Sequence, residues 1–179
     1  MLGTRFEYAC QLVHHGGVGG DWLERLTETM NTAMLVVTTA AQGQRAGCLV
    51  GFSTQASIHP PRLLVGISRA NHTFGVASRS DHLAVHVLSH RDSALAELFG
   101  GETEDEIDKF DRCAWHTGAA GMPILDDALA WMVGAALDRF DMGDHVGYLL
   151  QPVDAWSAAG DDEPIRFADV RGMDPGHHA

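Results

Sequence analysis

Residues 68–73, Ser-Arg-Ala-Asn-His-Thr, set a forked cation among small hydrogen-bonding side chains just before a short apolar stretch. Arg69 presents a guanidinium that matches phosphate geometry, and Asn71 and Thr73 add neutral donors. A helix is predicted over Thr73 to Ser78, with Thr73 placed to cap it, and a helix start also favours an anion. Ser68, Arg69, Asn71, His72 and Thr73 are therefore candidates for holding a ligand's phosphate. The plainer reading is a capping turn beside a surface arginine. Upstream lies Leu49-Val50-Gly51-Phe52-Ser53-Thr54, part of a strand predicted over Ala46 to Thr54 and weakened by Gly47 and Gly51. Interior glycines in a strand often mark a bulge or a closely approaching ligand. Its backbone donors and apolar faces suit a flat amphipathic ring, and the plainer reading is an ordinary sheet strand. His145 follows Gly143-Asp144 at the start of another predicted strand, where it either meets a ligand or simply bonds to backbone.

Other reactive residues point nowhere in particular. Cys10, Cys48 and Cys113 are far apart and odd in number, which is neither a disulfide framework nor a zinc pattern, and they read as small buried residues. His82, His86 and His90 share one strand parity, but same-face neighbours on a strand stand about 7 Å apart, too far to chelate a metal jointly. There is no GxSxG elbow, and the Gly-Gly pairs form no GxGxxG after a strand.

The elements that must position these residues are mostly strands. Strands are predicted over Ala33 to Thr39, Ala46 to Thr54, Arg62 to Ser68 after the Pro60-Pro61 break, Leu83 to Leu88, and His145 to Trp156, with a last short one over Ile165 to Ala168. Asp21 is a plausible cap for a helix carrying Trp22, Leu23 and Leu26 on one face. Ala40 to Gln44 reads as a turn, Ser93 to Phe99 as a helix closed by Gly100-Gly101, Glu102 to Asp108 as the start of another short helix, and Gly118 to Asp127 as a loop. Ala128 to Phe140 fits helix or strand by pattern alone. Strands linked by direct hairpins, with helices inserted, indicate a mainly β closed barrel with peripheral helices.

The 179 residues suit one domain, with a loose arm up to Gly20 and a disordered tail from Met173. Hydrophobic residues make up 45% and charged residues 20%, and no run is long enough to span a membrane. The start, MLGTRFEYACQL, lacks a secretory pattern, so a cytoplasmic protein is the expectation. A formal net charge of −12 argues against nucleic acid and anionic membranes as partners, yet leaves room for a local basic pocket.

Four segments in order carry a resemblance: RAGCLVGFSTQASIHPPRLLVGISRANHT from Arg45 to Thr73, LAELFGG from Leu95 to Gly101, DKFDRCAW from Asp108 to Trp115, and Gly143-Asp144-His145. Together they span roughly Leu26 to Val153, and they resemble the flavin reductase-like family with its FMN-binding split β-barrel. That resemblance makes Ala128 to Phe140 a strand with a bulge at Gly134. It implies an isoalloxazine ring beside Leu49 to Thr54 and the flavin phosphate at Arg69 to Thr73. It places His145 near the nicotinamide of NADH or NADPH, as the residue that aligns the two rings. Family members often carry Thr or Ser where this chain has Leu49 and Gly51, so backbone groups must take over those contacts here. The implied activity is reduction of FMN or FAD by NAD(P)H, in a homodimer that passes reduced flavin to a partner monooxygenase. The apolar run Ala128 to Leu137 also suits a dimer surface. Two other roles stay open at this point: an oxidoreductase with tightly held flavin or deazaflavin, and a non-catalytic flavin- or haem-binding protein on the same fold.

Overall fold

Strand alternation decides which residues look inward. In the computed structural model, which describes residues 20–102 and 107–173, β1 (Leu35–Ala41) sends Leu35 and Val37 into one buried cluster and Val36 into another on the opposite face. The chain then turns through Gln42 and Gly43, both at positive φ (53° and 79°), and returns as β2 (Gln44–Val50) with Ala41 paired to Gln44. A two-residue loop with both residues left-handed is the hairpin turn whose twist matches its strands, and glycine accepts that conformation without strain. The turn is therefore tighter than the predicted Ala40 to Gln44.

The predicted strand Ala46 to Thr54 is two strands. β2 ends at Val50, the chain crosses at Gly51 and Phe52, and β3 (Ser53–Ser57) begins on the far side. Gly51 is where Met34 packs in: a Cβ there would stand 3.2 Å from the Met34 sulfur. β4 (Arg62–Ser68), the short helix α2 (His72–Ala77), β5 (His82–Val87) and α3 (Ser93–Gly101) follow. Residues 118–127, expected to be loop, hold β7 (Pro123–Leu125), which folds back on β6 (Trp115–Thr117) as a small hairpin closed by the Gly118 N–H donating to the Met122 carbonyl at 2.8 Å. Such short strands carry too few residues to show a period in sequence.

β8 (Ala130–Asp141) and β9 (His145–Ser157) form the longest hairpin, and the register does shift at Val133/Gly134, where the bulge was expected. Ile165 to Ala168 is not a strand. Arg166 makes one bridge to Ala33, and Phe167–Val170 winds into α4, with the Arg166 N–H donating to the Asp169 carboxylate at 2.8 Å. The expected arm, the tail beyond Met173 and most of the expected helix after Glu102 lie outside the described residues.

The seven main strands form one antiparallel sheet in the order β2-β1-β5-β8-β9-β4-β3. Its two edge strands, β2 and β3, are consecutive in the chain and only Gly51 and Phe52 separate them, so the sheet curls until its edges meet. The Gly66 N–H donates to the Phe52 carbonyl at 2.7 Å, which carries the β3–β4 ladder one residue into the crossing at that seam. The architecture is a split β-barrel. Its interior holds Val37, Cys48, Val50, Val65, Ile67, Leu83, Val85, Tyr148 and Leu150, all buried. A second cluster, with Val36, Leu88, Leu98, Phe99 and Phe110, fixes α3 to the outer wall. Residues 20–31 form a separate compact unit containing α1 (Gly20–Met30). Asp21, expected to cap this helix, lies inside it.

Candidate active site

The seam creates the site. Cys48, Leu49, Val50, Gly51, Phe52, Gly66, Ser68, Asn71 and His145 line a cleft of about 110 Å³. β4 pairs with β9 so that Ser68 stands directly opposite His145, which brings residues 77 positions apart in sequence onto adjacent strands. Seven of the twelve candidate residues line this cleft: Leu49, Val50, Gly51, Phe52, Ser68, Asn71 and His145. Ser53 and Thr54 lie beyond it on the edge strand β3, and Arg69, His72 and Thr73 lie outside its lining.

The 68–73 loop is held by its own side chains. The Ser68 hydroxyl accepts from the Ala70 N–H at 3.2 Å, and the Asn71 N–H donates to the Ser68 carbonyl at 3.1 Å. Asn71, not Thr73, caps α2: its Oδ1 accepts from the Thr73 N–H at 2.9 Å. Thr73 sits one position inside the helix and is fully buried, and its hydroxyl has no hydrogen-bond partner. Helix α2 has only six residues, so its dipole adds little to anion binding here. His72 is exposed.

Arg69 leans the other way, toward the β8–β9 turn. Its Nε donates to the Gly143 carbonyl at 3.1 Å, its Nη2 stands 3.3 Å from an Asp141 carboxylate oxygen, and its backbone N–H donates to the Asp144 carbonyl at 2.9 Å. The Asp141 carboxyl is held below its ordinary range, chiefly by the Gly143 N–H and then by Arg69. Sequence reasoning missed Asp141; the Asp-x-Gly pattern of a tight turn was the available signal. Cys48 and Gly66 were also missed. Cys48 was read as a buried apolar residue, and it is buried, with one side toward the cleft.

His145 is oriented from both sides. Its Nδ1 lies 2.7 Å from Asp144 Oδ1. A carboxylate only accepts, so Nδ1 carries the proton and Nε2 is the nitrogen left for other contacts. This bond is also the main reason the Asp144 carboxyl sits below its ordinary range. Phe52 packs against the imidazole with ring centroids 4.7 Å apart. The arrangement is a narrow slot lined by the β2–β3 crossing, by Ser68 and Asn71, and by an oriented imidazole on the strand next to Ser68.

The histidine row on β5 builds no site. His86 is fully buried, Leu125 N–H donates to its Nε2 at 3.2 Å, and its Nδ1 lies 3.1 Å from the Val36 carbonyl. Burial lowers its pKa to about 4. His90 lies beyond the end of the strand. Among the described residues no group of three or more His, Cys, Asp or Glu side chains is placed to hold a metal ion.

Comparison with known proteins agrees with this fold. The chain is similar to the FMN reductase (NADH) RutF of Bradyrhizobium diazoefficiens, 33% identical over 116 residues that cover 65% of this chain and 64% of the relative; the match thus spans just under two thirds of that protein's length. Two solved structures share the fold. The NADH:FAD oxidoreductase SgcE6 of Streptomyces globisporus, in complex with NAD and FAD fragments, is 22% identical with a TM-score of 0.71, covering 84% of this chain and 90% of that one. A nitrilotriacetate monooxygenase component B homologue from Mycobacterium thermoresistibile is 21% identical with a TM-score of 0.70, covering 79% of this chain and 80% of that one. The sequence profile of the flavin reductase like domain matches residues 27–175, and the chain belongs to that family.

Proposed function

We propose that this chain is an NAD(P)H-dependent flavin reductase that binds FMN or FAD at the β2–β3 seam. The observation that carries the reading is the direct opposition of Ser68 and His145 across β4 and β9, which joins the loop after β4 and the Gly-Asp-His turn in one cleft. The relatives named for FMN and FAD reduction by NADH support it.

In this reading the residues divide the work. Backbone groups of Leu49 to Thr54 hold the edge of the flavin ring, and the partnerless Thr73 hydroxyl, Ser68, Asn71, His72 and Arg69 serve its polar chain and phosphate. Bound flavin supplies hydride acceptance; the protein supplies alignment. His145, with Nδ1 committed to Asp144, offers Nε2 to the nicotinamide end and keeps the second ring over the first.

A cleft of about 110 Å³ is well below the roughly 300–1,000 Å³ of a site that encloses a whole ligand. A second copy of the chain completes it in our reading, which makes the protein a homodimer of one domain per chain. Exposed Leu137, Phe140, Met142, Val153 and Trp156 on β8, β9 and their turn supply apolar surface for that contact. A shallow, open site also favours flavin as an exchanging substrate whose reduced form leaves for a monooxygenase. Cytoplasmic residence is part of the same proposal: no disulfide joins Cys48 and Cys113, as suits a reducing compartment. No helix among the described residues is long and apolar enough to cross a membrane.

Steady-state oxidation of NADH and NADPH with FMN, FAD and riboflavin as acceptors tests the activity. Turnover that requires both protein and added flavin supports the proposal; protein that oxidises neither nucleotide with any flavin refutes it.

A further inference from the structure

Arg69, the cation assigned above to the flavin phosphate, already has an anionic partner. Asp141 reaches it from the β8–β9 turn, with Nη2 and Oδ2 3.3 Å apart, while Nε is taken by the Gly143 carbonyl. Asp141 is fixed in that pose by its second oxygen, which accepts the Gly143 N–H at 2.8 Å. The other acid on the turn, Asp144, is occupied by His145, and the Phe74 ring lies 5.9 Å from the guanidinium carbon. A phosphate arriving at Arg69 therefore meets a cation half neutralised by Asp141, and it brings a charge of about −1.5 to −2 next to that carboxylate.

We propose that Asp141 is a specificity-determining residue that competes with the flavin phosphate for Arg69, so that the enzyme selects only weakly for phosphorylated flavins over riboflavin and releases them readily. This rests on the flavin-binding reading above. Both partners are open to water, with 43% of the Arg69 side chain and 78% of the Asp141 side chain exposed, so the pair rearranges at small cost. Its effect is a tuning of affinity and not a block. The same turn carries His145, so the carboxylate that tempers phosphate binding is built into the hairpin that presents the nicotinamide residue.

The test is the ratio of FMN to riboflavin affinity, measured by fluorescence titration of the full chain. Riboflavin has the ring and no phosphate, so it reports ring binding alone. Asp141→Asn keeps an oxygen for the Gly143 N–H and removes only the charge. Asp154→Asn makes the same change in net charge nine residues beyond His145 on β9, a span of roughly 30 Å along a straight strand, and serves as the control. Asp141→Asn should tighten FMN about two- to fivefold, the range an exposed ion pair supplies, with riboflavin unchanged. The gain should shrink in high salt, and Asp154→Asn should leave the ratio alone. An unchanged ratio in Asp141→Asn, weaker FMN binding, or an equal gain for riboflavin overturns the proposal while leaving the reductase reading standing. Wild-type protein that binds neither flavin overturns both.

Discussion

The Phe52 and His145 rings pack with centroids 4.7 Å apart and planes tilted by 56°. This contact ties the crossing between the sheet's two edges to the first residue of β9. It also leaves His145 little freedom: Asp144 holds one ring nitrogen and Phe52 packs on the ring, and only 17% of the His145 side chain is exposed.

An aligning residue should affect reduction and spare binding. His145→Ala is expected to slow flavin reduction by NAD(P)H about tenfold to a hundredfold with flavin affinity intact, the usual consequence of losing one orienting contact. Phe52→Ala should act in the same direction with a smaller effect. Stopped-flow mixing at saturating flavin measures both. Reduction at the wild-type rate in His145→Ala would make the residue structural, and loss of flavin would place it in the flavin pocket.

Arg69→Ala should weaken FMN by about 1.5 kcal/mol, close to tenfold, the lower end for a charge-assisted contact because the guanidinium is partly solvated and shared with Asp141. Riboflavin should lose less. Calorimetry showing equal FMN affinity in the two proteins would remove Arg69 from the phosphate site.

His86 gives the fold a pH dependence of definite sign. Desolvation in the wall lowers its folded pKa to about 4, against 6.5 for a solvated histidine, so between those values the unfolded chain binds the extra proton. The contribution is complete above pH 6.5 and is lost as pH falls toward 4. The difference corresponds to roughly 3 kcal/mol. Urea unfolding across about pH 7.5 to 4.5 should show stability falling along this window, and His86→Asn should flatten that slope. An identical slope in the variant would mean that other groups set it.

Gly134 tests the bulge. A Cβ placed there would stand 2.8 Å from Leu150 Cβ, an atom next to backbone that cannot swing aside. Gly134→Ala should cost about 1–3 kcal/mol by overpacking, read from the same urea titrations. Wild-type stability would show that the β8–β9 register relaxes freely at this point.

Much of this was legible in the residues. Apolar and β-branched runs marked β1, β4, β5 and β9, because these strands lie largely in the core, β1 with both faces buried. The strand nature of Ala130–Asp141 was not legible from pattern alone, since its bulge breaks the period, and it came from family resemblance. The break at Gly51-Phe52 was hidden because an apolar run continues across it, and the close approach of Met34 to Gly51 comes from the neighbouring strand's register, which the run itself does not show. At the site, the loop 68–73 and His145 could be picked out singly, yet their meeting depends on strand order, which local sequence does not encode. Asp141 escaped for the same reason: its partner, Arg69, is 72 residues away and joins it only through the β4–β9 pairing.

The central claim is that this barrel brings a flavin and a reduced pyridine nucleotide together at the seam beside His145. Its most direct test is an anaerobic single turnover: purified protein with FMN or FAD is mixed with NADH, and with NADPH, while the flavin absorption band is followed. The account predicts bleaching of that band only when the protein is present, with the bleach slowed in His145→Ala. A flavin band that stays unbleached with both nucleotides and both flavins would contradict it.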